Sequence, residues 1–248
     1  LKAVESQGEE QSRKYYDQFA KGYDDKRGGN EPGGYHDLLD DLEVETVRRF
    51  GEGKDVLEVG CGTGLLLTRF SDFARSAKGI DLSPGMLEKA KARGLDVVEG
   101  SATALPFADQ SFDVACSFKV LAHIPDISAA LSEMLRVVRP GGYVIAEFYN
   151  PWSLRYAAKK AAGARKTSGA FKEDAVFTRF DSPFSVRDRT PAGATLVATR
   201  GIRIVTPAAF VMSLPIVSGA LRAVEVALAD SPLKQFAGFY VAIWQRDR

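Results

Sequence analysis

Cysteine is nearly absent: the 248-residue chain has two, Cys61 and Cys116. Neither stands in a metal-ligand spacing, so no metal is expected and a disulfide framework is excluded; a reduced, cytoplasmic setting fits. Net charge is also missing, since 33 Lys and Arg meet 32 Asp and Glu for a formal +1. That balance argues against a general polyanion binder, and no nucleic-acid partner is expected. No apolar run approaches membrane-spanning length, and the opening "LKAVESQGEEQSRK" has no signal-peptide core. Internal repeats are lacking too. What remains is ordinary: 45% hydrophobic and 26% charged residues, in a length that one domain with insertions can fill.

The first fifty residues read as helix. "EEQSRKYYDQFAKGYDD" spaces Tyr15, Tyr16, Phe19, Ala20 and Tyr23 at helical intervals, and after a glycine-rich break "YHDLLDDLEVETVRRFG" repeats the pattern with Gly51 as its stop. His36 is expected on a solvated face of that second helix. From Asp55 the texture changes. "DVLEVG", "AKGIDL", "LDVVEG", "FDVACSF" and "GYVIAEF" are short Val-, Ile- and Phe-rich runs, and helical stretches separate them. Ser83 caps the helix "SPGMLEKAKARG", with Pro84 in its first turn and Gly94 as its stop. Asp126 caps another, expected to end at Pro140-Gly141-Gly142. Alternation of this kind predicts a doubly wound, mostly parallel sheet with helices on both faces. Two late runs, "ATLVATRGIRIVTP" (with a bulge expected at Gly201) and "FAGFYVAIWQRD", complete seven strands, the last antiparallel. They flank a helical insertion expected to kink at Pro215. The expected organisation is a helical lid over 1–52, a ligand-binding core over 53–150 and a remainder over 151–248 carrying substrate-side helices.

The stretch "VLEVGCGTG" places three glycines, Gly60, Gly62 and Gly64, after the first strand and before a helix. In a doubly wound sheet this is where ligands bind. Gly60 and Gly62 can take positive φ and bring backbone close to a ligand, while Gly64 lets the helix start pack closely. The alternate spacing differs from the dinucleotide fingerprint, which sets two residues before its third glycine. Glu58 adds an acid two residues before the loop. It would repel a pyrophosphate and attract a cationic amino-acid group. Asp81 ends the second strand about 20 residues after the first glycine, where a carboxylate accepts ribose hydroxyls. A ribose, a base and a positive group without phosphate describe S-adenosylmethionine.

With "GIDLSPGML", "SATALPFADQSFDVACSF", "VLAHIPD" and "LRVVRPGGYVIAEF" following in order, Val56 to Phe148 resembles the class I S-adenosylmethionine-dependent methyltransferases. The small-molecule branch that includes ubiquinone and menaquinone methylases is the nearest in pattern. The resemblance implies a Rossmann-like fold, S-adenosylmethionine as methyl donor and S-adenosylhomocysteine as product. It implies that Glu58, Gly60, Cys61 (through its backbone) and Gly62 line the methionine part, with Gly64 in the same loop. Asp81 would hold the ribose, Leu82 and Met86 the adenine, and Ala102 the base through its backbone. Phe118 would flank the cofactor, and Tyr16 and Tyr23 would close over the methionine carboxylate. Two positions depart from the pattern: Ser101 stands where relatives often carry Asp, and Ala122 where they often carry the first of two histidines.

Methyl transfer from a sulfonium is an in-line displacement that needs alignment and exclusion of water more than a catalytic triad. His123 has two readings, a general base near the methyl group or a hydrogen-bonded structural histidine. Cys61 and Cys116 end strands expected to be neighbours, and the thiols read as packed core residues in preference to a redox pair. "NPW" at Asn150–Trp152 reads as a strand-to-helix turn, because an amino-methyltransferase motif would follow the fourth strand and carry a second proline. Arg155, Lys159, Lys160, Arg165 and Lys166 lie beside Trp152 and Leu154, and an apolar segment follows Pro207. Together they suggest a small hydrophobic acceptor (a quinone, polyketide or lipid-like molecule) and a peripheral membrane contact, against a plain solvated helix. The competing functions are a non-catalytic binding module, a related enzyme using the cofactor without methylation, and a nicotinamide-dependent oxidoreductase. No sequence signal bears on oligomeric state.

Overall fold

A computed structural model describes residues 2–27, 34–162, 177–206, 211–212 and 215–248. Seven strands form one sheet: β1 (Asp55–Val59), β2 (Ser76–Asp81), β3 (Asp96–Glu99), β4 (Phe112–Ser117), β5 (Val138–Tyr149), β6 (Ala194–Ile202) and β7 (Phe239–Arg246). Their order is β3-β2-β1-β4-β5-β7-β6. β1 to β5 pair in parallel, whereas β7 runs antiparallel to both β5 and β6. This is the sheet expected from the alternating pattern. The strand order reverses between β1 and β4, so a crevice opens at the carboxyl ends of those two strands.

The helices are α1 (Lys2–Ala20), α2 (Tyr23–Lys26), α3 (Tyr35–Gly51), α4 (Leu65–Phe70), α5 (Pro84–Ala92), α6 (Ile127–Val137), α7 (Leu154–Ala162), α8 (Pro183–Asp188) and α9 (Pro215–Leu228). Successive residues of β1 face opposite sides: Val56 joins a core with Leu38, Val47, Leu67 and Phe70, and Leu57 joins one with Leu131, Met134, Phe148 and Trp244. A strand buried on both faces reads as a continuous apolar run, as "DVLEV" does. Ser83 caps α5 by accepting from the Met86 N–H, and Asp126 caps α6 by accepting from the Ala129 N–H.

Four expectations need correction. α6 ends at Val137, and Pro140-Gly141-Gly142 lies inside β5, where the pairing with β4 slips between Phe112 and Val114. The Pro-Gly-Gly run therefore makes an irregular strand entry instead of a helix stop. In β6 the irregularity falls between Leu196 and Ala198, not at Gly201. Gly201 serves close approach instead, since a Cβ there would lie 2.8 Å from the Lys234 Cα. Pro215 opens α9, a position that suits its missing N–H, and is no kink. The fourth concerns His36, which is half-buried with its Nδ1 enclosed and without a hydrogen-bond partner. Sequence expectations for Arg165, Lys166 and the segment 207–210 lie outside the described residues.

Glu225 is a buried anchor that the pattern concealed. Its carboxylate accepts the Ile204, Val205 and Thr206 N–H groups at 2.7, 2.9 and 2.7 Å, and the Thr206 hydroxyl at 2.7 Å. This fixes the turn after β6. Glu225→Ala leaves these donors unpaired inside the protein and is expected to destabilise by about 3 kcal/mol or more in denaturant unfolding.

Candidate cofactor and acceptor site

A cleft of about 1210 Å³, counted with its open mouth, occupies the crevice. It is lined by Tyr16, Tyr23, Glu58, Gly60, Cys61, Gly62, Asp81, Leu82, Met86, Ser101, Ala102, Phe118 and His123. Of the residues assigned from sequence, Gly64 alone is not on its wall. Gly64 has φ +82°, and a Cβ there would lie 2.2 Å from Leu95 Cδ1, so it serves helix packing.

The three glycines divide their work. Gly60 (φ +79°) makes room for protein, because a Cβ would meet Val120 Cγ2 at 2.3 Å. Gly62 (φ +55°) has nothing within 4 Å of where a Cβ would stand, so its bare face opens on the cleft. Four of the loop's donors are already engaged. Gly60 and Cys61 N–H donate to the Ile80 carbonyl at 2.7 and 3.0 Å, Gly64 N–H to the Cys61 carbonyl, and Gly62 N–H to Asp81 Oδ2 at 2.8 Å. A pyrophosphate cradle needs such N–H groups aimed at the ligand. The three glycines and Cys61 do not supply them, because their N–H groups bond the protein itself.

Asp81 is a latch as well as a ligand candidate. While Oδ2 takes Gly62, Oδ1 takes the Ser83 N–H at 2.9 Å. Burial pushes its carboxyl up, and the backbone donors work against that rise. Each oxygen keeps acceptor capacity for a hydroxyl. Glu58 is fully buried, and its Oε2 has no hydrogen-bond partner. Burial, then the Glu43 and Asp40 charges, raise its carboxyl well above the ordinary range. An orphaned acid oxygen on a cleft wall calls for a donor from outside. The two thiols are inert by comparison, both buried and both raised chiefly by burial.

The helical N-terminus is latched over this loop. Asp17 of α1 accepts the Ser83 hydroxyl at 2.6 Å and the Gly85 N–H at 3.0 Å. Asp24 of α2 accepts from Thr63 Oγ1 and from Arg93, each at 2.8 Å. Nothing but their position in an acidic-aromatic helix distinguished these aspartates in the sequence. Two cations on the wall were missed as well, Arg27 and Lys119. Arg27 grips both oxygens of Asp40 at 2.5 and 2.7 Å. Lys119 takes φ +61°, reaches Glu43 at 2.6 Å, and donates its own N–H to Glu147. Burial pushes the Lys119 amine down, but the Glu43 and Asp40 carboxylates outweigh it, so the amine stays charged. The signal for Lys119 was its place directly after Phe118, at the carboxyl end of β4.

His123 sits in a short 3-10 turn, Leu121–His123, with Nδ1 2.9 Å from the Phe177 carbonyl. A carbonyl only accepts, so Nδ1 carries the proton and Nε2 is the acceptor nitrogen. Burial lowers its pKa, partly offset by Phe177. The imidazole is therefore neutral at pH 7. His36 is shifted further, to about 4, by burial first and then by Arg27 and Lys119. Its folded pKa lies below the unfolded value of about 6.5. The stability this gives is therefore present above about pH 6.5 and lost as pH falls through about 4. Urea midpoints at pH 7 and pH 4.5 are expected to differ less in His36→Gln than in the wild type. An equal difference would contradict the assignment.

Among the described residues no group of three or more His, Cys, Asp or Glu is placed to hold a metal ion. No described helix is long and apolar enough to cross a membrane.

The fold is shared with solved S-adenosylmethionine-dependent methyltransferases. A methyltransferase from Thermotoga maritima superposes with TM-score 0.66 at 21% identity, over 94% of this chain and 98% of that one. The cyclase SpnF superposes with TM-score 0.65 at 20% identity, over 95% of each chain. Residues 57–146 match the methyltransferase domain family. In sequence the chain is similar to a demethylmenaquinone methyltransferase of Renibacterium salmoninarum, 43% identical over 102 residues, 40% of this chain and 43% of that protein. A demethylmenaquinone methyltransferase of Mycobacterium marinum is 40% identical over 115 residues, 46% of this chain and 50% of that protein. The chain thus spans half or less of the length of these curated relatives.

Proposed function

We propose that the protein is an S-adenosylmethionine-dependent methyltransferase acting on a small, hydrophobic acceptor of quinone, polyketide or lipid-like kind. One observation carries the cofactor reading. At the switch point an unpartnered buried acid, an open glycine face and a ribose-type carboxylate meet around a loop whose glycine N–H groups are already engaged. A cationic nucleoside without phosphate suits that set; a dinucleotide does not. The similarity to demethylmenaquinone methyltransferases supports an acceptor of quinone type.

When bound, S-adenosylmethionine supplies an electrophilic methyl on a sulfonium. Glu58 would receive the amino group, Asp81 the ribose hydroxyls, and Leu82 and Met86 the adenine face, with Ser101 and Ala102 at its edge. Tyr16 and Tyr23, held down through Asp17 and Asp24, would cover the amino-acid end as a lid and exclude water. His123 would take a proton at Nε2 from a hydroxyl acceptor, and its Nδ1–H would stay on Phe177. Water exclusion and alignment account for most of what such a site has to do.

The proposal includes a peripheral membrane contact. Trp152, Leu154 and Phe184 are 41%, 68% and 63% exposed, with the Trp152 and Phe184 rings 5.4 Å apart. Exposed Lys160 and Arg187 lie on the neighbouring helices. Sedimentation with anionic and neutral vesicles tests this part, which fails if neither binds. For the function itself, methyl-labelled cofactor and cell extract are incubated with the protein, and label is expected in a product of small mass. Label confined to macromolecules, or no transfer from any extract, would overturn the reading.

A further inference from the structure

Beyond His123, which lines the cleft, three adjacent strand ends meet. Tyr149 ends β5, Phe239 begins β7 opposite it, and Ile202 of β6 pairs with Phe239 just before Arg203. Tyr149 stands edge-on to His123, with centroids 5.6 Å apart at 90°, so the cluster packs behind a residue of the cleft wall. Two guanidinium groups lie over its rings. Arg155 of α7 is 5.7 Å from the Tyr149 centroid and 5.1 Å from that of Phe239, and Arg203 is 5.0 Å from that of Tyr35.

The carboxylates nearby are engaged elsewhere except Glu147, which takes the Lys119 N–H on one oxygen and keeps the other without a hydrogen-bond partner. Asp40 holds Arg27, Glu43 holds Lys119, and Glu225 holds the turn after β6. Among the described residues Arg155 meets aromatic faces and no acid. Arg203 is set in place: it takes φ +64°, a region ordinary residues avoid, and its Nε donates to the Thr206 carbonyl of the turn that Glu225 clamps. Burial first, and then Arg155, work against its charge, while Tyr35 and Glu225 support it. Arg203, Arg155 and Lys119 all act on the Tyr35 hydroxyl. Two cations near one another, on rigid supports beside an aromatic wall, gain from a shared anion.

We propose that Arg155 and Arg203, with Tyr35 and Tyr149 between them, form an anion subsite that seats a carboxylate of the methyl acceptor. The acceptor is then a planar, conjugated acid whose apolar body lies along the aromatic cluster. This rests on the methyltransferase reading and narrows its substrate class.

The test uses 2-naphthoate and its neutral counterpart 2-naphthol, titrated calorimetrically into the full chain with and without S-adenosylhomocysteine. Naphthoate is expected to bind about tenfold or more tightly than naphthol, the difference that hydrogen bonds to a charged group supply. Arg155→Met and Arg203→Met are expected to remove that preference and leave naphthol affinity within about twofold. S-adenosylhomocysteine affinity, measured in the same variants, reports whether the fold and cofactor cleft are intact. Equal binding of the two probes, no naphthoate binding at millimolar concentration, or equal weakening of both probes overturns the subsite. Failure of S-adenosylhomocysteine to bind the wild type strikes the cofactor reading instead, while the naphthoate preference is still read in its absence.

Discussion

Asp81→Ala is expected to weaken S-adenosylmethionine binding about thirtyfold or more, roughly 2 kcal/mol. Two losses combine. The ribose hydroxyls lose a charged acceptor, and the Gly62 and Ser83 N–H groups lose the oxygens that hold the glycine loop to the end of β2. Asp81→Asn separates them in part, because its remaining carbonyl oxygen can keep one backbone donor while its amide faces the other. The asparagine variant should therefore fall between wild type and alanine in affinity. Calorimetric titration reads both variants, and thermal unfolding reports how much of the loss is structural. Unchanged affinity in the alanine variant would contradict the ribose assignment.

Gly60→Ala should cost about 3 kcal/mol of stability, a fall of roughly 10 °C in Tm for a chain of this size. The added methyl would meet three Val120 atoms at 2.3, 2.7 and 2.9 Å, on a backbone at φ +79°. Val120 cannot swing clear, since its own Cβ is among them. Gly62→Ala makes the paired comparison. Its methyl meets nothing within 4 Å, so the fold pays only for positive φ, about 1 kcal/mol. The methyl stands in the cleft, however, and cofactor affinity should fall about tenfold. Comparable Tm losses in the two variants, read by calorimetric scanning, would contradict this division of roles.

The sheet was legible because "DVLEV", "FDVACS" and "FYVAIWQR" are buried runs with no rival helical period. The glycine loop and Asp81 were legible because turn chemistry and strand ends are local. What stayed hidden depends on distant partners. Asp17 and Asp24 look like any acids on a solvated helix until Ser83 and Thr63 are placed beneath them. Lys119 and Arg27 acquire meaning only when α3 brings Glu43 and Asp40 against the β4 end. His36 was misplaced for the same reason: its own helix reads as amphipathic, and its burial comes from other elements. Pro140-Gly141-Gly142 misled because the same residues that stop a helix also make an irregular strand entry. Arg155 and Arg203, 48 positions apart in sequence, flank the same strand ends only because β7 inserts between β5 and β6.

The cleft's defining feature is a buried acid with an unpartnered oxygen, raised above its ordinary range. Because burial raises Glu58 well above its ordinary range, docking of an ammonium group should ionise it and release a proton to the buffer. Titrating S-adenosylmethionine near pH 7 in two buffers of different ionisation heat measures that directly. A saturable isotherm is predicted, with proton release that disappears in Glu58→Gln and no comparable heat from NADH. Saturable NADH binding with S-adenosylmethionine silent would contradict the account.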